Sequence, residues 1–299
     1  MNIELLLEDF CYQAEHIRGV SKSTLKRYRQ NVSNFIKSTQ ILHIEEINKK
    51  IIFNFFIEGR ANKKWKATTY RTYYMSLLVF FRWCNENNYI EVNYLEGFEL
   101  PKLEKPLPKK IKKEDALRLL EVAYNYPYIH DYLKYRNHAI FAMFLFAGLR
   151  KNELLNLKMT DVDTENRTIF IRMGKGDKDR IIPMNHVLAQ SLNRYLYYRK
   201  KARKTCPEFF TSSNRNGGFT ESGLKHLTER LKKASGILFS IHKLRHTFAT
   251  LMVEGGCDIY SLSKMMGHSD IKTTTIYLSA SAEHLRGQMT KHPLNDLVH

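Results

Sequence analysis

The sequence predicts a mainly α chain in two parts, of which the second is α+β. Three observations lead to this fold class. Apolar residues recur at helical spacing along most of the chain, and the one good strand pattern lies around residues 167–184. A stretch rich in proline and lysine, residues 101–111, interrupts the helical pattern. We therefore expect a helical bundle over residues 1–100, a basic linker, and over residues 112–299 a mixed helical domain with a small antiparallel sheet.

Composition supports two cores and an acidic partner. The chain has 299 residues and 43% hydrophobic content, which is enough for two domains. Its net charge is +18, and it is uneven: residues 1–100 hold 14 basic and 11 acidic residues, and the others hold 34 and 19. Such an excess favours nucleic acid or an acidic membrane surface. The longest apolar run, Ala139 to Leu149, is too short to span a bilayer, so we predict a buried core helix there and no membrane residence.

The cysteines and the N-terminus indicate a reducing compartment. Cys11, Cys84, Cys206 and Cys257 are scattered and form no CxxC pair, so they are predicted to be ordinary thiols. The first residues, MNIELLLEDF, are acidic and lack the basic-then-apolar order of a signal peptide. We expect a cytoplasmic protein.

Four helices are predicted in the first hundred residues. The first covers residues 1–19, and a second begins after Ser21 or Ser23. A third spans Lys49 to Glu58 and a fourth spans about Ala67 to Asn87. Basic residues that could contact phosphates gather near the second helix, before the fourth and in the linker; taken singly, each is as well explained as a solvated surface charge. These candidates are Lys22, Lys26, Arg29, Lys63, Lys64, Lys66, Lys109 and Lys110.

The only strong strand signal is a hairpin. The segments RTIFIRM, Arg167 to Met173, and RIIPM, Arg180 to Met184, flank the turn GKGDKD. Lys175 lies between two glycines at the tip of this turn, and by composition alone it is a hairpin lysine. The polar segment before the hairpin allows a sheet of two or three strands. Helices are then predicted near Val187 to Lys201, Glu221 to Ala234, Ile241 to Glu254 and Ile259 to Met266.

The stretch from Ser240 to Tyr277 concentrates residues with related chemistry. Ser240 is a good N-cap for a helix in which His242 and Arg245 lie three residues apart, beside the apolar stripe. Gly267 ends a second, short helix, which leaves His268 just past a helix C-terminus. The following segment, which reaches Tyr277, contains three threonines and is a weak helix former.

These residues resemble a known family. The order His-x-x-Arg-His, then Gly-His, then a tyrosine nine residues later resembles the catalytic C-terminus of the tyrosine recombinases, also called the phage integrase family. Upstream, AGLRKNEL resembles the first arginine box of that family, and IRMGKGDKDRIIPM resembles its lysine hairpin. The likeness is strong over residues 112–299 and looser over the first hundred. In length and layout the chain is most similar to compact Xer-type members, because it begins directly with the helical bundle.

The resemblance implies a function and an architecture. Residues 1–100 would be a core-binding, DNA-binding domain, and residues 112–299 the catalytic domain, with the two embracing DNA from opposite sides. The implied activity is site-specific recombination of double-stranded DNA through a 3′-phosphotyrosyl intermediate and a Holliday junction, by a homotetramer on paired core sites. A partner or accessory recombinase is compatible with it. Integration or excision of a mobile element and Xer-like resolution both remain open.

The resemblance also assigns site residues. Tyr277 would be the nucleophile, His242 its acid–base partner, and Lys175 the general acid for the leaving 5′ oxygen. Guanidinium groups suit the phosphate because their planar donors match two of its oxygens and they stay charged. The full predicted set is Arg150, Lys175, His242, Arg245, His268 and Tyr277, with Glu153 supporting Arg150.

Other classes were weighed on the same residues. His242 and His246 are spaced like helical zinc ligands, but Lys243 and Arg245 would oppose a cation. The sequence shows no acidic cluster suited to two magnesium ions and no Walker loop, so we expect no cofactor. A type IB topoisomerase-like enzyme and a non-catalytic DNA-binding protein are the remaining alternatives.

Overall fold

The chain divides into two compact units, Met1–Lys105 and Pro106–His299. The computed structural model describes residues 1–103, 109–172, 179–268 and 270–280, with side chains up to residue 278. Both units are mainly helical, and the second contains a small antiparallel sheet, which confirms the predicted fold class. Across these ranges, no helix combines the length and apolar character that a membrane span requires.

Unit 1 is a bundle of four α-helices in its described residues. Asn2, Ser21 and Asn48 accept hydrogen bonds from backbone N–H groups at the starts of the first three helices, which explains where those helices begin. The third helix runs three residues further than the sequence predicted. The bounds are α1 Ile3–His16, α2 Lys22–Thr39, α3 Lys49–Ala61 and α4 Ala67–Glu86, with a 3-10 turn at Ile44–Glu46.

Aromatic side chains form much of the core of unit 1. Phe80 is fully buried, and its ring lies 5.6 Å from Phe10 and 5.3 Å from Phe81, measured between ring centroids. Trp65 and Tyr73 stack at 4.3 Å, and the Trp65 ring covers Gly59 so closely that a Cβ there would come within 2.2 Å of it. Edge-to-face and offset rings of this kind pack densely and stabilise a core beyond the area they bury.

Unit 2 contains eight helices and a three-stranded sheet in its described residues. The strands pair antiparallel in the order β1-β2-β3, with Ile169 opposite both Val162 and Ile182. The strands are β1 Val162–Asp163, β2 Thr168–Ile171 and β3 Arg180–Pro183. The helices are α5 Lys113–Asn125, α6 Asp131–Phe146, α7 Lys151–Asn156, α8 His186–Lys201, α9 Glu221–Ser235, α10 Ile241–Glu254, α11 Ile259–Met266 and α12 Lys272–Ala280.

The fold places α6 at the centre of unit 2. The apolar run after Ala139 is buried, as predicted, and α6 packs against α5, α8 and α10. A second, smaller cluster joins the end of α10 to α11 and α12; it contains Phe248, Ala249, Val253, Leu262, Met266 and Tyr277. The core of unit 2 therefore fixes α10, and the smaller cluster fixes the two short helices that follow it.

Candidate active site

Arg150 lies where α6 turns into α7. Gly148 takes a left-handed φ of +60° in this turn, a conformation that favours glycine, and Arg150 occupies the N-cap of α7. Its backbone N–H and its Nη1 donate to the two oxygens of Glu153 at 2.7 and 2.8 Å, and its Nη2 donates to the Gly267 carbonyl at 2.7 Å. Glu153 therefore holds Arg150, as the sequence predicted it would.

Glu153 has a second cation that sequence reasoning missed. Arg180, the first residue of β3, donates from Nη1 and Nη2 to both Glu153 oxygens at 2.9 and 2.8 Å. Burial alone would raise the pKa of Glu153, but the hydrogen bonds and charges of Arg180 and Arg150 lower it to about 2. The carboxylate thus stays ionised between two guanidinium groups.

Arg245 is the buried cation of the site. It lies on α10 with 6% of its surface exposed, and it donates to the Gly148 carbonyl and, at 2.5 Å, to the Met266 carbonyl. Burial and then the charge of Arg150 lower its pKa to about 10, so it remains a cation at neutral pH. Backbone carbonyls, rather than a carboxylate, hold this charge in place.

His268 follows the end of α11, as predicted. Its Nδ1 lies 2.8 Å from the Thr274 hydroxyl, and its Nε2 lies 3.4 Å from Nη2 of Arg245. Burial, followed by the charges of Arg245 and Arg150, lowers the pKa of His268 to about 4. The ring is therefore neutral near pH 7, and one of its nitrogens can donate a hydrogen bond.

Tyr277 meets His246 and not the histidine that the sequence singled out. The Tyr277 hydroxyl lies 2.8 Å from Nδ1 of His246, and only 2% of the tyrosine is exposed. His242 lies one turn earlier on α10 and is exposed. Burial raises the pKa of Tyr277 although Arg245 opposes the shift; burial and the charges of His242 and Arg245 lower the pKa of His246. A neutral His246 can accept the phenolic proton.

Not every predicted residue lies in this cluster. Lys175 lies outside the described residues. In unit 1 the basic candidates are exposed or half-buried, and Arg29 and Lys63 form ion pairs with Glu8 and Glu58 at 3.0 and 3.1 Å. Lys22, Lys26 and Arg29 line a shallow cleft of about 270 Å³ along α2. The exposed set is Lys22, Lys26, Lys63, Lys64, Lys66, Lys109 and Lys110, and Lys110 pairs with Glu254.

The arrangement suits an anion that is attacked by a phenol. Arg150, Arg180 and Arg245 face a single carboxylate, so the site carries an excess of positive charge in partly desolvated surroundings. The Tyr277 hydroxyl, hydrogen-bonded to His246, belongs to the same cluster, and a phenol with such a partner has the chemistry of a nucleophile. Among the residues described, no group of three or more His, Cys, Asp or Glu side chains is placed to hold a metal ion.

Comparisons with known proteins find similar sequences along nearly the whole chain. Residues 109–284 match the sequence profile of the Phage integrase family, and residues 6–91 match that of the Phage integrase N-terminal SAM-like domain. The chain is 28% identical over 301 residues to tyrosine recombinase XerC of Oceanobacillus iheyensis, with 97% of each chain covered. It is 31% identical to tyrosine recombinase XerD of Listeria monocytogenes, with 94% of this chain and 96% of the relative covered.

A solved structure shows the same fold. The XerH site-specific recombinase bound to a palindromic difH substrate superposes with a TM-score of 0.74 at 22% identity, and the match covers 96% of this chain and 84% of the other. The similarity extends over both units of the chain.

Proposed function

The chain belongs to the phage integrase family and is a site-specific tyrosine recombinase, and we propose that its substrate is double-stranded DNA that carries paired core sites. The relatives it matches over nearly their whole length are named tyrosine recombinases, and the XerH structure of the same fold holds its difH DNA substrate. The excess of positive charge on this chain supports the same polyanionic substrate.

One observation carries the assignment of the site. Five side chains from three parts of the sequence share one series of contacts: Arg150 binds the Gly267 carbonyl beside His268, His268 lies next to Arg245, and His246 follows Arg245 and binds Tyr277. Phosphodiester transesterification requires these components, namely fixed positive charge, a neutral donor, and a nucleophile with a base. No metal ion or nucleotide is needed for this chemistry.

The reaction follows from these groups. His246 Nδ1 takes the phenolic proton, and the Tyr277 oxygen attacks phosphorus and forms the 3′-phosphotyrosyl bond. The bond from phosphorus to the 5′ oxygen breaks, and Lys175 supplies the proton that this oxygen needs. Arg150, Arg245 and His268 donate to the non-bridging oxygens, where negative charge increases in the transition state. Rejoining is the reverse reaction with a 5′ hydroxyl from another strand, so the bond energy is conserved.

The acid–base work is divided between two histidines on α10. His246 contacts the tyrosine directly, and His242 lies one turn nearer the start of the helix, where it is exposed. An exposed imidazole on this face can reach bound DNA. We assign to His242 the relay of the phenolic proton from His246 to solvent, and back again during rejoining, which keeps its predicted acid–base role but makes it indirect.

DNA contacts outside the active site are assigned to the exposed basic residues. Lys22, Lys26 and Arg29 line the cleft along α2, and the DNA backbone can lie on this surface. The basic residues at 63–66 form a second such surface. Such contacts give affinity without reading bases, and their number sets the salt dependence of binding. Replacement of Lys26 by alanine should reduce the salt slope of binding by about 1.

Assembly and setting complete the proposal. Four copies would act on two core sites and exchange strands through a Holliday junction, in integration or excision of a mobile element or in Xer-like resolution. The four cysteines are unpaired thiols, which supports a reducing cytoplasmic setting. Native gels of the protein with one and with two core sites would distinguish monomer, dimer and tetramer complexes by their mobility.

Covalent trapping in EDTA tests the chemistry. Supercoiled or nicked DNA with the sequences that flank the gene is mixed with the protein, with Tyr277→Phe, or with the control Tyr260→Phe, and the reaction is stopped with SDS. Tyr260 is an exposed tyrosine on α11, so its variant should form the adduct normally. We expect an adduct that forms without metal and is lost only in Tyr277→Phe. An adduct that persists in that variant would show that another residue is the nucleophile.

The same DNA separates the alternatives. Recombinant products on DNA with two core sites identify a recombinase, whereas relaxation of supercoils at random sites without recombinants identifies a topoisomerase-like enzyme. Tight DNA binding without adduct on any site would indicate a binding protein. The recombinase relatives that match the chain over nearly its full length favour the first outcome.

A further inference from the structure

Arg180, like His246, is a residue of the site that the sequence did not predict. It is the first residue of β3 and follows the segment that carries Lys175. Its side chain is 8% exposed. Besides its two hydrogen bonds to Glu153, its Nε donates to the Met265 carbonyl at 2.8 Å. The guanidinium thus uses both of its terminal nitrogens and its Nε within the protein.

The end of α11 is bound by three arginines in succession. The carbonyls of Met265, Met266 and Gly267 accept from Arg180, Arg245 and Arg150, at 2.8, 2.5 and 2.7 Å respectively. The last carbonyls of a helix have no partner within the helix, and they form the negative end of its dipole. Three cations therefore satisfy three adjacent acceptors, and the next residue in the chain is His268.

The packing around Arg180 leaves little freedom. Gly267 has a φ of +62°, and a Cβ added there would lie 2.9 Å from Nη1 of Arg180. The side chain is therefore enclosed between Glu153, the end of α11 and the Gly267 backbone. A buried cation held by three hydrogen bonds differs from an exposed ion pair, which contributes little to the geometry of a site.

We propose that Arg180 is a positioning residue for DNA cleavage: it holds Glu153 and the end of α11, and through them it orients Arg150 and His268 toward the scissile phosphate. The inference rests on the proposed function. Arg180 touches neither the nucleophile nor the phosphate, because its donors are directed at Glu153 and Met265. Outer contacts that orient the ligands of metal sites change activity by about 10- to 100-fold, and we expect an effect of that order here.

Three variants test the proposal. Arg180→Gln removes the charge and the bidentate contact, Arg180→Lys keeps the charge alone, and Arg172→Gln is the matched control. Arg172 flanks the same segment on the other strand, but it is largely exposed and pairs with Asp161 at 2.6 Å. DNA affinity, the single-turnover rate of adduct formation at saturating protein, and the thermal midpoint are measured for each full-length variant.

A split between rate and affinity is the expected result. Arg180→Gln should lower the single-turnover rate by about 10- to 100-fold, with less than about a threefold change in DNA affinity, since Arg180 makes no DNA contact in this proposal. Arg180→Lys should recover part of the rate, and Arg172→Gln should recombine like the wild-type protein. If Arg180→Gln does not fold, Arg180→Lys is tested alone. Its cleavage rate should fall by a smaller factor, again with little change in DNA affinity.

The pH dependence of the cleavage rate distinguishes a positioning role of Arg180 from a purely structural one, because loss of stability alone would not change that dependence. The charged groups that face Glu153 are Arg150 from the start of α7, Arg180 from β3 and Arg245 from α10. Without Arg180, burial is opposed by fewer cations, so the pKa of Glu153 should rise from about 2. The ratio of the Arg180→Gln rate to the wild-type rate should then fall as the pH is lowered from 7, because the variant loses the Glu153 carboxylate at a higher pH than the wild-type protein does. A constant ratio would contradict the proposal.

Failure of this inference is distinguishable from failure of the proposed function. If the wild-type protein forms the Tyr277 adduct and Arg180→Gln forms it at the same rate, Arg180 does not position the site, and the recombinase assignment stands. Equal losses of affinity and rate would make Arg180 a DNA ligand and would also overturn the inference. If the wild-type protein forms no adduct on any DNA that it binds, both proposals fall together.

Discussion

The interiors of the two units differ in the charge that they bury. In the described part of unit 1 the buried polar side chains are Asn31, Ser76 and Asn93, and none is charged. In the described part of unit 2 the buried set includes charged side chains as well. These are Arg136, Asp161, Arg199 and Arg245. The interior of unit 1 is built largely from aromatic rings, whereas the interior of unit 2 also encloses buried arginines.

Backbone carbonyls explain how unit 2 tolerates these cations. Arg136 donates to the Thr211 carbonyl at 2.9 Å, and Arg199 donates to the Lys204 and Cys206 carbonyls at 2.7 and 2.5 Å. Carbonyl dipoles accept from the terminal N–H groups without cancelling the charge, as a carboxylate would, whereas the buried Nε of Arg199 has no hydrogen-bond partner among the described residues. Both units bury an apolar core, but in the described residues only unit 2 also buries charged side chains, and the positive charge that its carbonyls leave uncancelled can attract an anion.

The largest effect should follow from a change of Arg245 to lysine. Lysine keeps the charge but cannot reach the Gly148 and Met266 carbonyls together with a phosphate. We expect the cleavage rate to fall by about 10²- to 10³-fold, and the free energy of unfolding to fall by about 1–3 kcal/mol because a buried acceptor loses its donor. Single-turnover cleavage and urea unfolding measure the two effects.

A loss of cleavage with no loss of stability would mean that the carbonyl contacts of Arg245 are not structurally important. The matched control is Arg194→Lys on α8, an arginine outside the site whose surface is exposed. This control should leave both quantities unchanged.

The second test applies to the aromatic interior of unit 1. Phe80→Ala should reduce the free energy of unfolding by about 3–5 kcal/mol, because it leaves a cavity among rings that are already packed. Met75→Ala on the same helix removes a half-exposed side chain and should cost much less. Denaturant unfolding monitored by tryptophan fluorescence reports on unit 1, since Trp65 and Trp83 both lie there. Similar costs for the two variants would contradict a tightly packed core.

The two histidines of α10 provide the third test. His246 is bonded to the tyrosine hydroxyl, so His246→Ala should lower the cleavage rate by about 10²-fold. His242→Ala should have a smaller effect, because His242 is exposed and makes its contribution through His246 or the bound DNA. Single-turnover cleavage rates of both variants, and of the double variant, show which histidine contributes more to cleavage. A greater loss in His242→Ala would return the direct acid–base role to His242.

Acid should affect unit 2 more than unit 1. His138 and His268 both have a pKa lowered to about 4, in each case chiefly by burial and then by nearby arginines, whereas an unfolded histidine titrates near ~6.5. The unfolded chain therefore binds more protons between these values, and stability that is present above pH 6.5 is lost as the pH falls toward 4.

The measurement compares two signals between pH 7 and pH 5. As the pH decreases, the helical circular dichroism signal of the whole chain should be lost at lower denaturant concentrations. The tryptophan fluorescence change that reports the unfolding of unit 1 should occur at a higher denaturant concentration than this loss. His138→Gln should reduce this pH dependence, because it removes one of the histidines whose pKa is lowered in unit 2. Coincident transitions at every pH would contradict the difference between the units.

Sequence reasoning located α10 and α11 well for local reasons. Ser240 and Asp258 accept hydrogen bonds at the two helix starts, and Gly267 takes the left-handed conformation that ends α11. Signals of this kind lie within a few residues of the boundary that they mark, so the chain reveals them without any knowledge of the fold. The predicted positions of Arg245 and His268 followed from these boundaries together with the family pattern.

The parts that the sequence did not reveal depend on contacts between distant residues. Arg180 has its partners at Glu153 and Met265, which lie 27 and 85 residues away, and no local pattern marks such a triad. His242 and His246 share one face of α10, and only the packing of α12 decides which of them meets Tyr277. The one local signal for Arg180 was that a charged residue begins the second strand of the predicted hairpin, directly after the turn.

Gly148 has a consequence for how this sequence can vary. Its carbonyl accepts from Arg245, its φ is +60°, and a Cβ at this position would lie 2.2 Å from the ring of Phe248 on α10. Any side chain at position 148 would have to displace the Phe248 ring, which lies on the helix that carries Arg245 and His246. Related proteins should therefore keep glycine at position 148 even where the surrounding core residues differ. In a library randomised at this position, every active clone should encode glycine.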